Sequence, residues 1–464
     1  MINFSFDTYL SPLTWRYGSE DMRKIFSEKH KYELWRKIWI ALAEAQHQAG
    51  FVSKEELEDL KKNEKDIDIE RIFEFEKDTK HDVVAAIKEF AGKTKIGGGK
   101  IHLGATSMDI VDNTDMIRIQ EALEIVEKKV VVILNLLADK IEEYVDFPCL
   151  GYTHLQPAEP TTVGYRLAFY AQDLLLAYDF IQFSKKTIKG KGMKGAVGTA
   201  ASYQALLKDK PMTVNQLETK VMKSLGIEAA LITGQVYPRL YDYVVLNSLA
   251  MVTSALAKFA GDLRILQSPL YGEWSEPFGK KQVGSSAMPF KKNPISSENI
   301  CSLARFVVQL PQVAIENAYL SYFERTLDDS ANKRIVIAEA FLTTDQILIT
   351  AEKIINGLVI NKERISFNLN QYASFAASEL IILEAVKNGA NRQEMHEVLR
   401  NISMIAWADI QKGKENPMFK LLVEDKSISY YLNKNQLEKL MSVETHIGNA
   451  PERAKQLVKI VRQI

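Results

Sequence analysis

Cysteine is nearly absent from this chain: of 464 residues only Cys149 and Cys301 carry a thiol, far apart and in no CxxC or Cys/His spacing. That argues against a disulfide framework and against a zinc site, and it suits a reducing cytoplasm. Net charge is missing as well, since Lys+Arg and Asp+Glu both total 59. No long-range field then draws the chain to nucleic acid or to an anionic membrane, so an anionic ligand has to be held by a local cluster. No unbroken apolar run of about 18 residues occurs, and Met1-Ile-Asn-Phe-Ser-Phe-Asp-Thr8 lacks a basic stretch leading into a long apolar one. Neither membrane spanning nor secretion is expected. Proline and glycine are few, at 13 and 23, and they cluster. Long uninterrupted stretches remain in which helical periodicity can be tested.

Three stretches pass that test. Met116, Ile119, Leu123, Val126, Val130, Ile133 and Leu137 recur at alternating threes and fours, behind a possible capping box of Thr106 and Asp109. Val245, Leu249, Val252, Leu256, Phe259, Leu263 and Leu266 do the same between Pro238 and Pro269, and Ile337, Phe341, Leu348, Ala351, Ile355 and Leu358 mark a third helix from about Ser330 to Ile360. At 1.5 Å per residue, roughly 30 residues span about 45 Å. Alternating strand patterns are scarce, so the expected fold class is all-α with a central bundle of long helices. Val131, Leu134, Ala138 and Ile141 add a second apolar face to the first helix. Covering two faces calls for more long helices than one chain supplies, which points to an oligomer; a thick monomeric bundle is the alternative.

With 46% hydrophobic and 25% charged residues, the chain suffices for two or three domains. The expected division is a smaller helical part at 1–106, with Trp35, Ile38, Trp39, Leu42 and Ala45 along one helix, a long-helix bundle at 107–360, and a C-terminal helical part at 361–464. The last is broken near Gly389-Ala-Asn391, Gly413 and Gly448-Asn-Ala-Pro451.

Between two of the long helices lies 272–294, a loop with glycines at 279 and 284 that would let it close as a lid. Ser285 and Ser286 follow Gly284, and Lys291 and Asn293 stand on alternate positions where they could converge on a carboxylate gaining charge. Taken alone, the stretch is also compatible with a mobile polar surface loop. The string Gly284-Ser-Ser-Ala-Met-Pro-Phe-Lys-Lys-Asn-Pro294 resembles the signature of the fumarase/aspartase superfamily, Gly-Ser-Ser-x-Met-Pro-x-Lys-x-Asn-Pro, at every fixed position. The resemblance implies that Ser285 is the general base taking a proton from the Cβ of a succinyl group. Because a serine hydroxyl ionises poorly near neutrality, the loop must supply positive potential, for which Lys291 is the local candidate. Lys291 and Asn293 would also hold the doubly charged aci-carboxylate.

Of seven histidines, His154 sits in Thr153-His-Leu-Gln-Pro-Ala-Glu-Pro-Thr-Thr162, which resembles a segment of the adenylosuccinate lyase family whose histidine is the general acid. Glu298 stands where the superfamily places a carboxylate that pairs with that histidine, which would keep the imidazole protonated. Further segments are similar to the same family. Arg16-Tyr17 matches a nucleotide-binding pair, and Lys80-His81-Asp82 matches a triplet near the phosphate and the acid, with His81 among the catalytic candidates. Thr106 and Ser107, with Thr153 and Gln235, would bind the succinyl part. Arg325, Ser330 and Arg334 in Phe323-Glu-Arg-Thr-Leu-Asp-Asp-Ser-Ala-Asn-Lys-Arg334 match a phosphate site. Independently, Ser330 could cap the third long helix, whose N-terminal amides favour an anion. The likeness runs from Arg16 to Pro451 and is nearest in wording to the animal-type branch, but Phe290 and Asn299 depart from it. At Asn299 that branch has a substrate-contacting arginine.

The resemblance implies elimination of fumarate from purine nucleotides without metal or organic cofactor. It further implies a homotetramer whose active sites each draw on three subunits. An argininosuccinate lyase would share Ser285, Lys291 and Asn293 but lack the phosphate segment. A non-enzymatic lens-crystallin-like descendant could lose the acid or base, and both are present here.

Overall fold

The computed structural model describes residues 5, 7–279, 281–288 and 290–464. Pro289 of the signature string lies outside them, as do positions 1–4. Helices dominate, and the four long ones are Ser107–Glu143 with 37 residues, Val163–Thr187 with 25, Leu240–Leu266 with 27 and Ser330–Asn356 with 27. The all-α expectation holds; the strands among the described residues form two small antiparallel pairs.

The apolar stripes are what hold the long helices. Met116, Ile119, Leu123, Val126, Val130, Ile133 and Leu137 are each at most 2% exposed, and the stripes beginning at Val245 and Ile337 are buried throughout. Burying one such side chain contributes about 1.5–3 kcal/mol, far more than its helix propensity. The Leu240–Leu266 helix is long and apolar enough in composition to cross a bilayer, but its stripe faces protein.

Two expectations are corrected here. Leu134, Ala138 and Ile141 are buried within the single chain, so the second face of the first helix needs no partner. An uncovered apolar face lies on Val163–Thr187, a helix that periodicity misses because its apolar residues fall on the exposed as well as the buried side, so that no stripe stands out. Along it Tyr165, Phe169, Leu176, Phe180 and Phe183 form an exposed row, with Phe169 53% and Phe183 54% exposed.

The chain divides into two compact units. The first draws on the chain up to Val130, on Ala177–Ser254 and on Ser302–Ile349. The second draws on Val131–Leu176, Ala255–Cys301 and Thr350–Ile464. In the first, the Glu28–Gln48 helix buries Trp35, Ile38, Trp39, Leu42 and Ala45 as its spacing predicts. In the second, the C-terminal helices enclose a core that includes Ile381, Met395, Leu399, Met418 and Leu422. The Arg392–Gln411 helix begins behind the cap Asn391 and ends ahead of Gly413, two of the expected breaks.

Candidate active site

The two units divide the candidate residues between them. Thr153, His154, Ser285, Lys291, Asn293 and Glu298 belong to the second unit, and all the others belong to the first.

In the first unit, the helix Ile69–Thr79 ends at Lys80 in the left-handed conformation, φ 53°. That reversal sets His81 at the cap of Asp82–Lys93, where its Nδ1 accepts from the Val84 amide at 3.4 Å. The other nitrogen, Nε2, lies 3.4 Å from Ser107 Oγ. Asp82 receives Arg334 Nη2 at 3.2 Å, so the triplet at 80–82, the turn at Thr106 and Ser107, and the segment at 323–334 lie together. The turn before Ser107 is pinned to the Glu28–Gln48 helix: Trp39 Nε1 donates to His102 Nδ1 at 3.1 Å and Gln46 Nε2 donates to the Leu103 carbonyl at 2.7 Å. Burial lowers the His102 pKa to about 4. Of the capping box expected at Thr106 and Asp109, the return arm is formed, with the Thr106 amide donating to Asp109 Oδ2 at 3.1 Å.

Arg325 Nη1 donates to Gln235 Oε1 at 3.1 Å, and the Gln235 amide donates to the Glu324 carbonyl at 3.1 Å. Close approach is enforced at Gly234, where a Cβ would lie 2.5 Å from that same carbonyl oxygen. Ser330 is the first residue of the Ser330–Asn356 helix, not its cap; the flanking position is taken by Asp329, which receives Arg239 Nε at 2.6 Å. Arg16 is exposed, while its loop is tied down by the Gly18 amide on Gln346 Oε1 at 3.0 Å and the Ser19 amide on Asp345 Oδ2 at 2.6 Å.

In the second unit, His154 and Leu155 form the two-residue turn of a hairpin, Pro148–Thr153 paired with Gln156–Thr162. Their φ angles, 52° and 61°, are both left-handed, a conformation that two-residue hairpin turns normally fill with Asn and Gly. Non-glycine residues there carry strain of about 1–3 kcal/mol each, which the surroundings have to hold. They do: Tyr271 Oη donates to the Leu155 carbonyl at 2.9 Å, and Tyr152 Oη donates to the buried Glu273 at 2.7 Å. Arg166 joins Glu273 at 3.1 Å. The exposed His154 side chain has no partner among the described residues, so the expected pairing with Glu298 is not made within one chain.

The signature loop is open at its tip and pinned at its base. Gln267 joins both legs, accepting from the Glu276 amide at 2.9 Å and donating to the Lys292 carbonyl at 2.9 Å. The Glu276 carboxylate caps the Ile295–Val307 helix through the amides of Ser296 and Ser297. Inside the loop, Asn293 Nδ2 donates to the Gly284 carbonyl at 3.0 Å. Gly284 has no room for a side chain, since a Cβ there would fall 2.1 Å from the Lys291 carbonyl oxygen. Ser285 Oγ accepts from the amides of Met288 at 3.1 Å and Ala287 at 3.4 Å. Two donors on a hydroxyl oxygen favour its ionised form. Lys291 is exposed and in no ion pair among the described residues, so within one chain the amides, not the ammonium, meet the serine oxygen.

Sequence reasoning missed the residues that hold this geometry: Gln267 and Glu276 under the loop, and Tyr152, Glu273 and Arg166 under the hairpin. None of them has a partner near in sequence.

The chain is similar to known lyases. The profile of the lyase family matches residues 16–309. Two solved structures share the fold over nearly the whole chain. The 3-carboxy-cis,cis-muconate lactonizing enzyme from Pseudomonas putida has TM-score 0.85 and 19% identity over 98% of this chain and 99% of its own. A fumarate lyase from Mesorhizobium sp. BNC1 has TM-score 0.83 and 21% identity over 95% and 98%. The profile, which covers more than half of the chain, places it in the lyase family, and the solved structures share its fold.

The profile described as the adenylosuccinate lyase C-terminus matches residues 374–457. The adenylosuccinate lyase of Schistosoma mansoni is 40% identical, covering 90% of this chain and 88% of its own, and that of Saccharomyces cerevisiae is 37% identical, covering 98% and 95%. That of Archaeoglobus fulgidus is 35% identical over 98% and 99%. The chain belongs to the adenylosuccinate lyase family.

Proposed function

We propose that this lyase releases fumarate from adenylosuccinate to give AMP, and from succinyl-aminoimidazole carboxamide ribotide to give the carboxamide ribotide, by anti-elimination. Ser285 takes the Cβ proton, the electron pair passes into an aci-carboxylate, the carbon–nitrogen bond breaks, and His154 protonates the departing nitrogen. The observation that carries this is Ser285 Oγ beneath two backbone N–H donors on a loop pinned at its legs and open at its tip. Amides fixed before reaction stabilise the alkoxide without reorganisation. Lys291 and Asn293 meet the carboxylate, Asn293 with the N–H left over from its bond to the Gly284 carbonyl. Thr106, Ser107, Thr153 and Gln235 hold the succinyl part; Arg16, Tyr17, Lys80, His81 and Asp82 hold the nucleotide, with Arg325, Ser330 and Arg334 on its phosphate. Neither metal nor organic cofactor takes part.

The working form is a homotetramer of a three-part chain, divided at residues 106 and 360, in the cytoplasm. Two observations support a shared site: the exposed aromatic row on Val163–Thr187, and His154 without a partner while Glu298 is equally exposed. A second copy then supplies the carboxylate. The test is turnover of adenylosuccinate, followed as fumarate and AMP, by the wild type and by Ser285→Ala and His154→Ala. Each variant is expected to lose about 100-fold to 10,000-fold in kcat, the usual worth of a general base or acid. Mixing the two variants should restore part of the activity once subunits exchange. No turnover by the wild type, or full turnover by both variants, overturns the assignment.

A further inference from the structure

Beneath the phosphate segment the first unit holds a buried group of charges that no binding role accounts for. Arg239 is 5% exposed. Its Nη1 and Nη2 grip the two oxygens of Asp112 at 3.2 and 3.1 Å, and its Nε binds Asp329 at 2.6 Å. Lys333 reaches Asp115 at 2.6 Å and lies 4.8 Å from the ring of Tyr237, over which Arg239 also stacks at 4.3 Å. The Tyr237 amide donates to Asp112 at 2.8 Å. Burial would lift the Asp115 carboxylate, but Lys333 and Arg118 outweigh it and hold the group below the usual carboxylate range.

The positions of these groups along the chain matter more than their number. Asp329 directly precedes Ser330, Lys333 directly precedes Arg334, and Tyr237 lies two residues beyond Gln235, which binds Arg325. Ser330 and Arg334 thus each follow a residue locked inward onto the Ser107–Glu143 helix, Asp329 through Arg239 and Lys333 directly, and the first turn of that helix carries Ser107. A buried ion pair is poor evidence of stability, because well-packed apolar residues would do as well or better. Its retention is better explained by what it orients: a bidentate guanidinium fixes direction as well as distance.

We propose that Arg239, with Asp329 and Lys333, is the positioning device of the phosphate pocket: it sets Ser330 and Arg334 in register with the carboxylate-binding turn without touching substrate. This rests on the phosphate role given above to Arg325, Ser330 and Arg334. The test compares AMP with adenosine, which differ only in the phosphate, by calorimetric titration of the intact protein. The wild type binds AMP more tightly than adenosine. Asp329→Asn, isosteric and unable to pair fully with Arg239, cuts that preference about tenfold while adenosine binding is unchanged. Lys333→Met does the same by a separate route, and serves where the first variant folds poorly, as judged by circular dichroism and thermal unfolding. Asp329→Glu, which keeps the charge, recovers part of the preference. A wild type that does not prefer AMP overturns the phosphate assignment itself. A wild type that prefers AMP, with folded variants that keep the preference, overturns the positioning role alone.

Discussion

Acidification should weaken the fold through His102. Its Nδ1 accepts the Trp39 indole N–H, so the folded protein holds the neutral ring with its proton on Nε2, and burial lowers the pKa from 6.5 to about 4. The sign follows from which state binds the proton first. As the pH falls through 6.5 the unfolded chain takes it up while the folded chain does not, so stability is present above 6.5 and is lost on the way down to about 4. A gap of about 2.5 units at 1.36 kcal/mol each makes this loss about 3 kcal/mol at the acid end. The control is His102→Asn, whose Oδ1 can stand near the place of Nδ1 and which tolerates the left-handed φ of 66° at this position without titrating. Urea unfolding of both proteins, followed by circular dichroism from about pH 7.5 to pH 4, isolates the term as the difference between their slopes. The wild type should lose about 3 kcal/mol more than the variant across that range. Parallel pH profiles would refute the claim that a neutral His102 is built into the fold.

Two further outcomes follow from backbone geometry. Leu155→Gly should relieve the left-handed strain at the hairpin turn and raise stability by about 1 kcal/mol, measured as an upward shift in thermal midpoint, with no change in secondary structure. Gly284→Ala should instead force the loop open, because the Cβ meets the Lys291 carbonyl oxygen. Its kcat for adenylosuccinate should fall at least about tenfold, while the thermal midpoint stays near that of the wild type because the loop lies outside the core.

Much of the fold was legible because each of three long helices buries a stripe spaced by threes and fours, so the spacing from Met116 to Leu137 names its own interior. The Val163–Thr187 helix was not, since its apolar residues lie on its exposed side as well as its buried one and leave no stripe to read. The hairpin at 148–162 was hidden for another reason: its turn uses His and Leu where a sequence signal would need Asn or Gly. Among site residues, Ser285 and His154 stood out as contiguous strings. Gln267, Glu273 and Arg239 did not, because each matters through a partner distant in the chain. The third long helix already includes Ser330 as its first residue, so Ser330 is not its cap, and the carboxylate of Asp329 in the flanking position is turned to Arg239.

The alternation of chain segments between the two units bears on how the protein is made. The first unit cannot be completed until Ser302–Ile349 has been synthesised, and by then two of the three segments of the second unit are already exposed. At a synthesis rate of about 5–20 residues per second, the earliest segment, finished at Val130, waits roughly 10–45 s for Ile349. Over that interval the stripes of the long helices have no completed core to enter. The nascent chain therefore carries uncovered apolar stripes, surface of the kind chaperones bind, until most of its synthesis is done.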